Sequence, residues 1–361
     1  MGSRNEKFMG GIHGRTTMRN AVSVAVLVSL TALSLAVGQV VAGSVPPTEV
    51  DLLASARPSE NGSRLVHVEP VSERQSNLAV YSVSMGRDIT VRVLRPADTS
   101  LPRPTLYLLG GVEGSSDELG WSEETDMVEF VSDKNVNVVV PYGGASSYYT
   151  DWERDDPVLG RNKWTTFLTE ELPPVIDSAL GTTAKNAIAG LSMSGTAVLS
   201  LASAAPGLYQ AVGSYSGCAM TSDPLGSAYV IAAVVNNAGN PINMWGPLGG
   251  PGWVAHDPYL NAARLRGTGL YISNGSGVPG PHDRLDDPSV DGDPNSLVAQ
   301  IVRGGPIEAA TGQCTARLAA RLRDLQIPAT VNLRPTGTHS WGYWQDELHQ
   351  SWPMLAAAIA A

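Results

Sequence analysis

The chain holds only two cysteines and three phenylalanines in 361 residues, and charged side chains make up just 16% of it. Two cysteines are too few for a disulfide-stapled scaffold or a cysteine-rich zinc module, so the fold has to be held by an apolar core. The 43% of hydrophobic residues are ample for one. Basic residues are also scarce: 24 Lys and Arg face 34 Asp and Glu, a net charge of −10, with no cluster of positive side chains. That balance excludes a nucleic-acid partner and a polybasic attachment to anionic lipid, both of which need grouped Lys and Arg. The charge runs are short and mixed, such as Glu123-Glu124 and the stretch from Asp151 to Asp156, and read as solvated loops. No internal repeat is visible, which excludes a solenoid. Beyond the N-terminus no apolar run is long enough to span a bilayer, and nothing calls for a metal or cofactor.

The N-terminus is different. Arg4, Lys7, Arg15 and Arg19 precede an apolar stretch from Ala21 to Ala42, and small residues follow at Gly43-Ser44. This is the pattern of a signal peptide over residues 1–42, with Met18 as a second possible start. The run is also long enough to serve as an uncleaved anchor. Export places the chain in an oxidising compartment, where an even cysteine count predicts a bridge between Cys218 and Cys314.

Residues 43–75 read as a Pro-rich, polar extension over the surface, and residues 76–361 as one catalytic domain. An antiparallel pair is predicted at Leu78 to Ser84 and Ile89 to Leu94. Buried strands follow at Thr105 to Leu109 and Val136 to Pro141, with a helix between them from Glu123 to Lys134. Helical spacing from Lys163 to Ala179 is interrupted by Pro173-Pro174. A short strand at Asn186 to Ala189 leads through a turn into a helix from Thr196 to Ala205. Further strands are expected at Ala211 to Ser216, Gly269 to Ser273 and Ala329 to Leu333, and helices at Thr315 to Leu325 and from Tyr343 to Ala360 apart from Pro353. Alternation of this kind predicts a doubly wound, mostly parallel sheet. Asn236 to Pro258 and Gly275 to Asn295, rich in Gly and Pro, read as irregular loops that line or cover a site.

The turn is Gly190-Leu191-Ser192-Met193-Ser194-Gly195. A nucleophile elbow lifts a serine hydroxyl above the sheet edge on a strained turn, and its flanking positions must be tiny because strand and helix pass close together. Gly190 meets that demand, and Ser194 stands where a second glycine is usual. A serine needs a base to take its proton, and in this chain order the base follows late. Of six histidines, His13 lies in the leader, His67 precedes the elbow, His256 and His282 lie in the loops and His349 in the last helix. His339, after the last strand, is the candidate. The acid that orients it is open among Asp283, Asp286, Asp287 and Glu308. The oxyanion donors should be the amide of Met193 and one from the loop Leu109-Gly110-Gly111-Val112, where glycines permit close approach to substrate.

Six stretches then carry a resemblance. They are Pro141 to Trp152, Lys163 to Pro173, Gly190 to Met193, Asn243-Met244-Trp245-Gly246-Pro247, His256-Asp257-Pro258 and Gly337 to Trp344. In this order they are similar to the mycolyltransferases of the antigen 85 type, α/β-hydrolases secreted by bacteria with mycolic-acid envelopes. The resemblance implies Ser192 as nucleophile, His339 as base, Glu308 as acid with Asp283 as runner-up, and the amides of Val112 and Met193 as oxyanion donors. It implies substrate contacts at Gly110, Gly111, Ser340, Trp341 and Trp245, the Trp253 loop lying alongside. It further implies two-step transfer of a mycolyl group from one trehalose ester to another, or to cell-wall arabinan, by a monomer in peripheral contact with the envelope. A secreted carboxylesterase and a silent glycan-binding relative are the alternatives. Departures from the family fall on the sugar side: Gly110 stands in place of an aspartate, Glu113 in place of an arginine, and Val158 to Arg161 in place of a cysteine pair. The placement of the two cysteines is similar to the corynebacterial branch.

Overall fold

The computed structural model describes residues 49–361; the leader predicted over residues 1–42 lies outside the described residues. Among the described residues no helix is long and apolar enough to cross a membrane. Helix α1 (Glu49–Ser55) precedes nine strands: β1 (Arg64–Pro70), β2 (Gln75–Ser82), β3 (Arg87–Leu94), β4 (Thr105–Leu109), β5 (Asn137–Pro141), β6 (Asn186–Leu191), β7 (Tyr209–Tyr215), β8 (Gly269–Asn274) and β9 (Thr330–Leu333). They form one sheet in the order β1-β2-β3-β5-β4-β6-β7-β8-β9. Pairing is antiparallel from β1 to β5 and parallel from β5 through β4 to β9.

Strands β4, β5 and β6 are buried along their whole length because helices cover both faces, which is why they read as unbroken apolar runs. The two-residue period splits them between two cores. Leu106, Leu108, Ala187 and Ala189 face one, with Trp344, Leu348 and Leu355 of the last helix. Tyr107, Leu109, Ile188 and Val212 face the other, with Leu172, Val175, Ile176, Val198 and Leu201.

The covering helices are α2 (Leu172–Leu180), α3 (Met193–Ala204), α4 (Pro224–Asn236), α5 (Gly305–Asp324) and α6 (Trp341–Ile359). Several differ from the sequence expectation for local reasons. The extension is not only a cover, since its residues 64–70 form edge strand β1 against β2. The helix expected from Glu123 to Lys134 is two four-residue turns, Trp121–Glu124 and Met127–Phe130. Between them Thr125 is extended, and its hydroxyl bonds back to the Trp121 carbonyl. Pro173-Pro174 does not break its helix, because a π-helical turn at Phe167–Glu171 lets both prolines enter the first turn of α2. The Gly- and Pro-rich stretch after α4 contains two short helices, Pro241–Trp245 and Pro251–Ala255, each started by its proline. Pro353 sits inside α6.

Candidate active site

Ser192 stands between β6 and α3 with φ 55° and ψ −121°, a left-handed conformation that a non-glycine residue adopts only under constraint. The sequence around it explains how the turn closes. A Cβ on Gly190 would lie 2.5 Å from the Ser194 Oγ, and one on Gly195 would lie 2.6 Å from the Tyr215 carbonyl oxygen. Ser194 is more than a small residue. Its Oγ accepts the Leu191 amide at 2.9 Å and lies 3.0 Å from the Leu109 carbonyl, so it ties the elbow to the end of β4.

His339 lies in the loop between β9 and α6, and Glu308 in the first turn of α5. The imidazole Nδ1 is 2.7 Å from Glu308 Oε2, and its Nε2 is 2.8 Å from Ser192 Oγ. A carboxylate only accepts, so the proton belongs on Nδ1 and the Nε2 lone pair faces the serine hydroxyl. Glu308 is 0% exposed, and its second oxygen accepts from Ser216 Oγ at 2.8 Å and from the Gly275 amide at 2.5 Å. Trp344 extends this network by donating its indole N–H to Ser216 Oγ at 3.0 Å, while its ring stands edge-on to the imidazole at 5.0 Å.

Of the four acids left open, only Glu308 reaches the histidine. Asp283 accepts from Thr338 Oγ1, Tyr343 Oη, the Gly280 amide and Gln300 Nε2, all within 2.9 Å, and so holds the histidine loop from behind. Asp286 pairs with Arg284 at the surface. Asp287 and Asp346 grip the two nitrogens of His282 at 2.6 and 2.8 Å. These bonds, the one to Asp346 foremost, hold the His282 pKa up at about 9 against the opposing effect of burial.

The loop after β4 faces the elbow. A Cβ on Gly111 would stand 3.8 Å from the Ser192 Cβ, and one on Gly110 would overlap the Gly114 carbonyl at 2.2 Å. The loop is pinned by Trp121, whose indole donates to the Leu109 carbonyl at 3.0 Å, and by the Ser146 amide, which donates to the Val112 carbonyl at 2.8 Å. Met193 begins α3, so its amide has no partner within the helix. Glu113 accepts from Asn236 and Asn237 at the end of α4, at 3.0 and 3.4 Å.

The tryptophans divide. Trp341 is half-buried and meets Trp121 and Trp344 edge-on at 5.7 and 5.2 Å. Ser340 beside it is buried, with its Oγ 3.3 Å from Thr338 Oγ1. Trp245 and Trp253 are 2% and 1% exposed, pack on each other at 5.3 Å, and Trp245 stacks on His256. This corrects the expectation that Trp245 contacts substrate: both indoles are core and present no face to a sugar. Cys218 and Cys314 are joined, with a Cα separation of 5.0 Å, and link the segment after β7 to α5.

One residue went unnoticed in the sequence. Tyr229 of α4 brings its hydroxyl to 3.3 Å from Ser192 Oγ. It is half-buried, and the desolvation of its hydroxyl beside the serine pushes its pKa up to about 12. Nothing in an apolar helix before a Gly-rich stretch marks one tyrosine as different.

A serine hydroxyl within reach of an imidazole that a buried carboxylate orients, with the Met193 amide at a helix start beside it and the glycine loop after β4 close by, suits acyl transfer through a covalent ester. Comparison with known proteins agrees in class. The Esterase family model matches residues 82–355. The chain is 33% identical over 294 residues to the diacylglycerol acyltransferase/mycolyltransferase Ag85A of Mycobacterium leprae, covering 79% of this chain and 83% of that protein. It is 32% identical over 299 residues to Ag85B of Mycobacterium intracellulare, with the same shares covered. Among solved structures, Mycobacterium tuberculosis MPT51 (FbpC1) superposes with a TM-score of 0.65 at 26% identity, over 79% of this chain and 98% of that one. The fluorophosphonate-binding serine hydrolase F of Staphylococcus aureus shares the fold alone, with a TM-score of 0.56 at 17% identity, over 78% of this chain and 97% of that one. The fold, the order of the matched segments and these similarities establish that the chain belongs to the antigen 85-type mycolyltransferase family of esterase-like α/β-hydrolases.

Proposed function

We propose that the protein is a secreted mycolyltransferase of the cell envelope, and that Ser192 is its nucleophile. The observation that carries this reading is the line from Glu308 through His339 to Ser192 Oγ, with contacts of 2.7 and 2.8 Å. In the first step His339 Nε2 takes the serine proton as Oγ attacks the ester carbonyl of a trehalose mycolate. The amides of Met193 and Val112 receive the oxyanion, and the imidazolium returns the proton to the departing sugar oxygen. In the second step a hydroxyl of another trehalose ester, or of cell-wall arabinan, gives its proton to His339 and attacks the acyl carbon; the bond from that carbon to Ser192 Oγ breaks and the imidazolium returns the proton to Oγ. Gly110 and Gly111 let the substrate ester approach the backbone, and Trp341 and Ser340 flank the histidine on the acceptor side. The bridge between Cys218 and Cys314 is consistent with an exported protein.

A serine-directed fluorophosphonate should label the native protein and leave Ser192→Ala unlabelled, with ester turnover falling about 10³-fold or more. Labelling that survives in Ser192→Ala would refute the assignment. A second reading, a carboxylesterase passing the acyl group to water, is favoured by Glu113, whose carboxylate is engaged by Asn236 and Asn237. Product analysis with trehalose present separates the two. Acylated trehalose supports transfer, and free acid alone supports hydrolysis.

A further inference from the structure

The geometry points to Tyr229 as a fourth catalytic residue: its hydroxyl is a fixed hydrogen-bond donor to Ser192 Oγ that assists the departure of the serine oxygen when the acyl-enzyme breaks down. This inference builds on the reading of Ser192 as nucleophile and deepens it.

The direction of the bond follows from counting protons. Ser192 Oγ has two neighbours, His339 Nε2 at 2.8 Å and Tyr229 Oη at 3.3 Å. Glu308 keeps the imidazole proton on Nδ1, so Nε2 is an acceptor and takes the one proton that the serine can offer. The bond between the two hydroxyls must then run from tyrosine to serine. Tyr229 keeps its proton throughout the working range, since burial raises its pKa to about 12.

Its position is built. The residue lies in α4, whose start is capped by the Asp223 side chain on the Leu225 amide. The ring packs against the cluster of Cys218, Met220 and Cys314, so the bridge backs the tyrosine on one side. At the other end of α4, the Ala233 carbonyl accepts from Ser146 Oγ at 2.7 Å, and Asn236 and Asn237 hold Glu113 of the oxyanion loop. The helix that carries the phenol is thus fixed to the loop that would receive the substrate oxygen.

A donor aimed at Oγ acts unequally on the two half-reactions. During acylation it draws electron density from the attacking oxygen, while also steadying the negative charge that the oxygen acquires as its proton leaves. These effects oppose each other. In deacylation, the acceptor oxygen forms its bond to the acyl carbon after passing its proton to His339. The C–Oγ bond then breaks, its electron pair stays on Oγ, and the proton comes from the imidazolium. Tyr229 neither gains nor loses a proton. Its O–H stabilises the charge growing on Oγ, with no opposing effect, in a buried site where such a bond counts for more than in water. Removing the hydroxyl should therefore slow the second half-reaction selectively.

The test compares native protein with Tyr229→Phe using p-nitrophenyl butyrate, with water and then trehalose as acceptor. Stopped flow gives acylation from the nitrophenolate burst, and intact mass spectrometry gives the steady-state fraction of protein carrying the butyryl group. In Tyr229→Phe, deacylation should slow about tenfold, less than the roughly hundredfold or greater cost of losing a direct oxyanion donor. Acylation should change less than about threefold, so the butyryl-enzyme accumulates. A parallel fall in both steps, or an unchanged butyryl fraction, overturns the proposal. A protein with 3,5-difluorotyrosine at position 229 keeps the side-chain volume and donates more strongly. It should deacylate at least as fast as native, and slower deacylation in it also counts against the proposal, whatever the Phe variant does to folding. A butyryl group mapped to a residue other than Ser192, or ester turnover undiminished in Ser192→Ala, would instead bring down the reading of Ser192 itself.

Discussion

Replacing the Glu308 carboxylate with an amide of the same shape separates its charge from its volume. The amide would offer an N–H₂ donor to Nδ1 and favour the wrong imidazole tautomer, as the aspartate-to-asparagine change does in the serine protease triad. Glu308→Gln is therefore expected to retain the fold and to lose about 10³- to 10⁴-fold in kcat on a nitrophenyl ester. Asp283→Asn should behave in the opposite way. Asp283 accepts four hydrogen bonds, from Thr338 next to the histidine, Tyr343 of α6, the Gly280 amide and Gln300, and an amide can reproduce only part of that set. Urea unfolding should show a loss of about 1–3 kcal/mol, with a much smaller fall in kcat than for Glu308→Gln. The sequence could not separate these two acids without the resemblance. Both follow β8 and precede His339, and what decides between them is where the start of α5 meets the Gly275 amide and the imidazole. Tyr229 was illegible for the same reason, since its contact to Ser192 spans 37 residues and depends on how α4 lies over the elbow.

At the scale of elements, strands were easier to read than helices. Unbroken apolar runs such as Thr105–Leu109 announce burial on both faces, and their pairing follows from short connections and parallel alternation. Helices with glycine or proline near their starts were cut short or lost. The start of α5 at Gly305-Pro306 hid its first ten residues, Glu308 among them, although proline is at home in a first turn. The loop between β8 and α5 owes part of its placement to His282, clamped by Asp287 of its own segment and Asp346 of α6. Glu123, Glu124 and Asp126 line a cavity together with His282 and Asp287. The His282 pKa is raised to about 9 from an ordinary value near 6.5, so its stabilising contribution is complete below roughly pH 6.5 and is lost as the pH rises through about 9. The stability difference between native protein and His282→Gln, measured by urea unfolding, should be largest near pH 6 and shrink toward pH 10. A difference that grew with pH would show that the clamp does not depend on the imidazolium.

Across the whole molecule, the disulfide connects the segment beyond the nucleophile strand's neighbour, β7, to the helix that carries Glu308. It closes a long loop, with a sequence separation of 96. Removing it through Cys218→Ser with Cys314→Ser should cost about 2–4 kcal/mol in urea unfolding, mainly by releasing the denatured chain. The esterase activity of the folded fraction should fall less than stability, because the Glu308 carboxylate is also anchored by Ser216 and Gly275. The same covalent link changes what a protease can do. A nick at any peptide bond between residues 218 and 314 severs the backbone but leaves the nucleophile and the histidine on fragments still tied together through sulfur. Such a protein would run as one band on a gel until a reductant divides it into two.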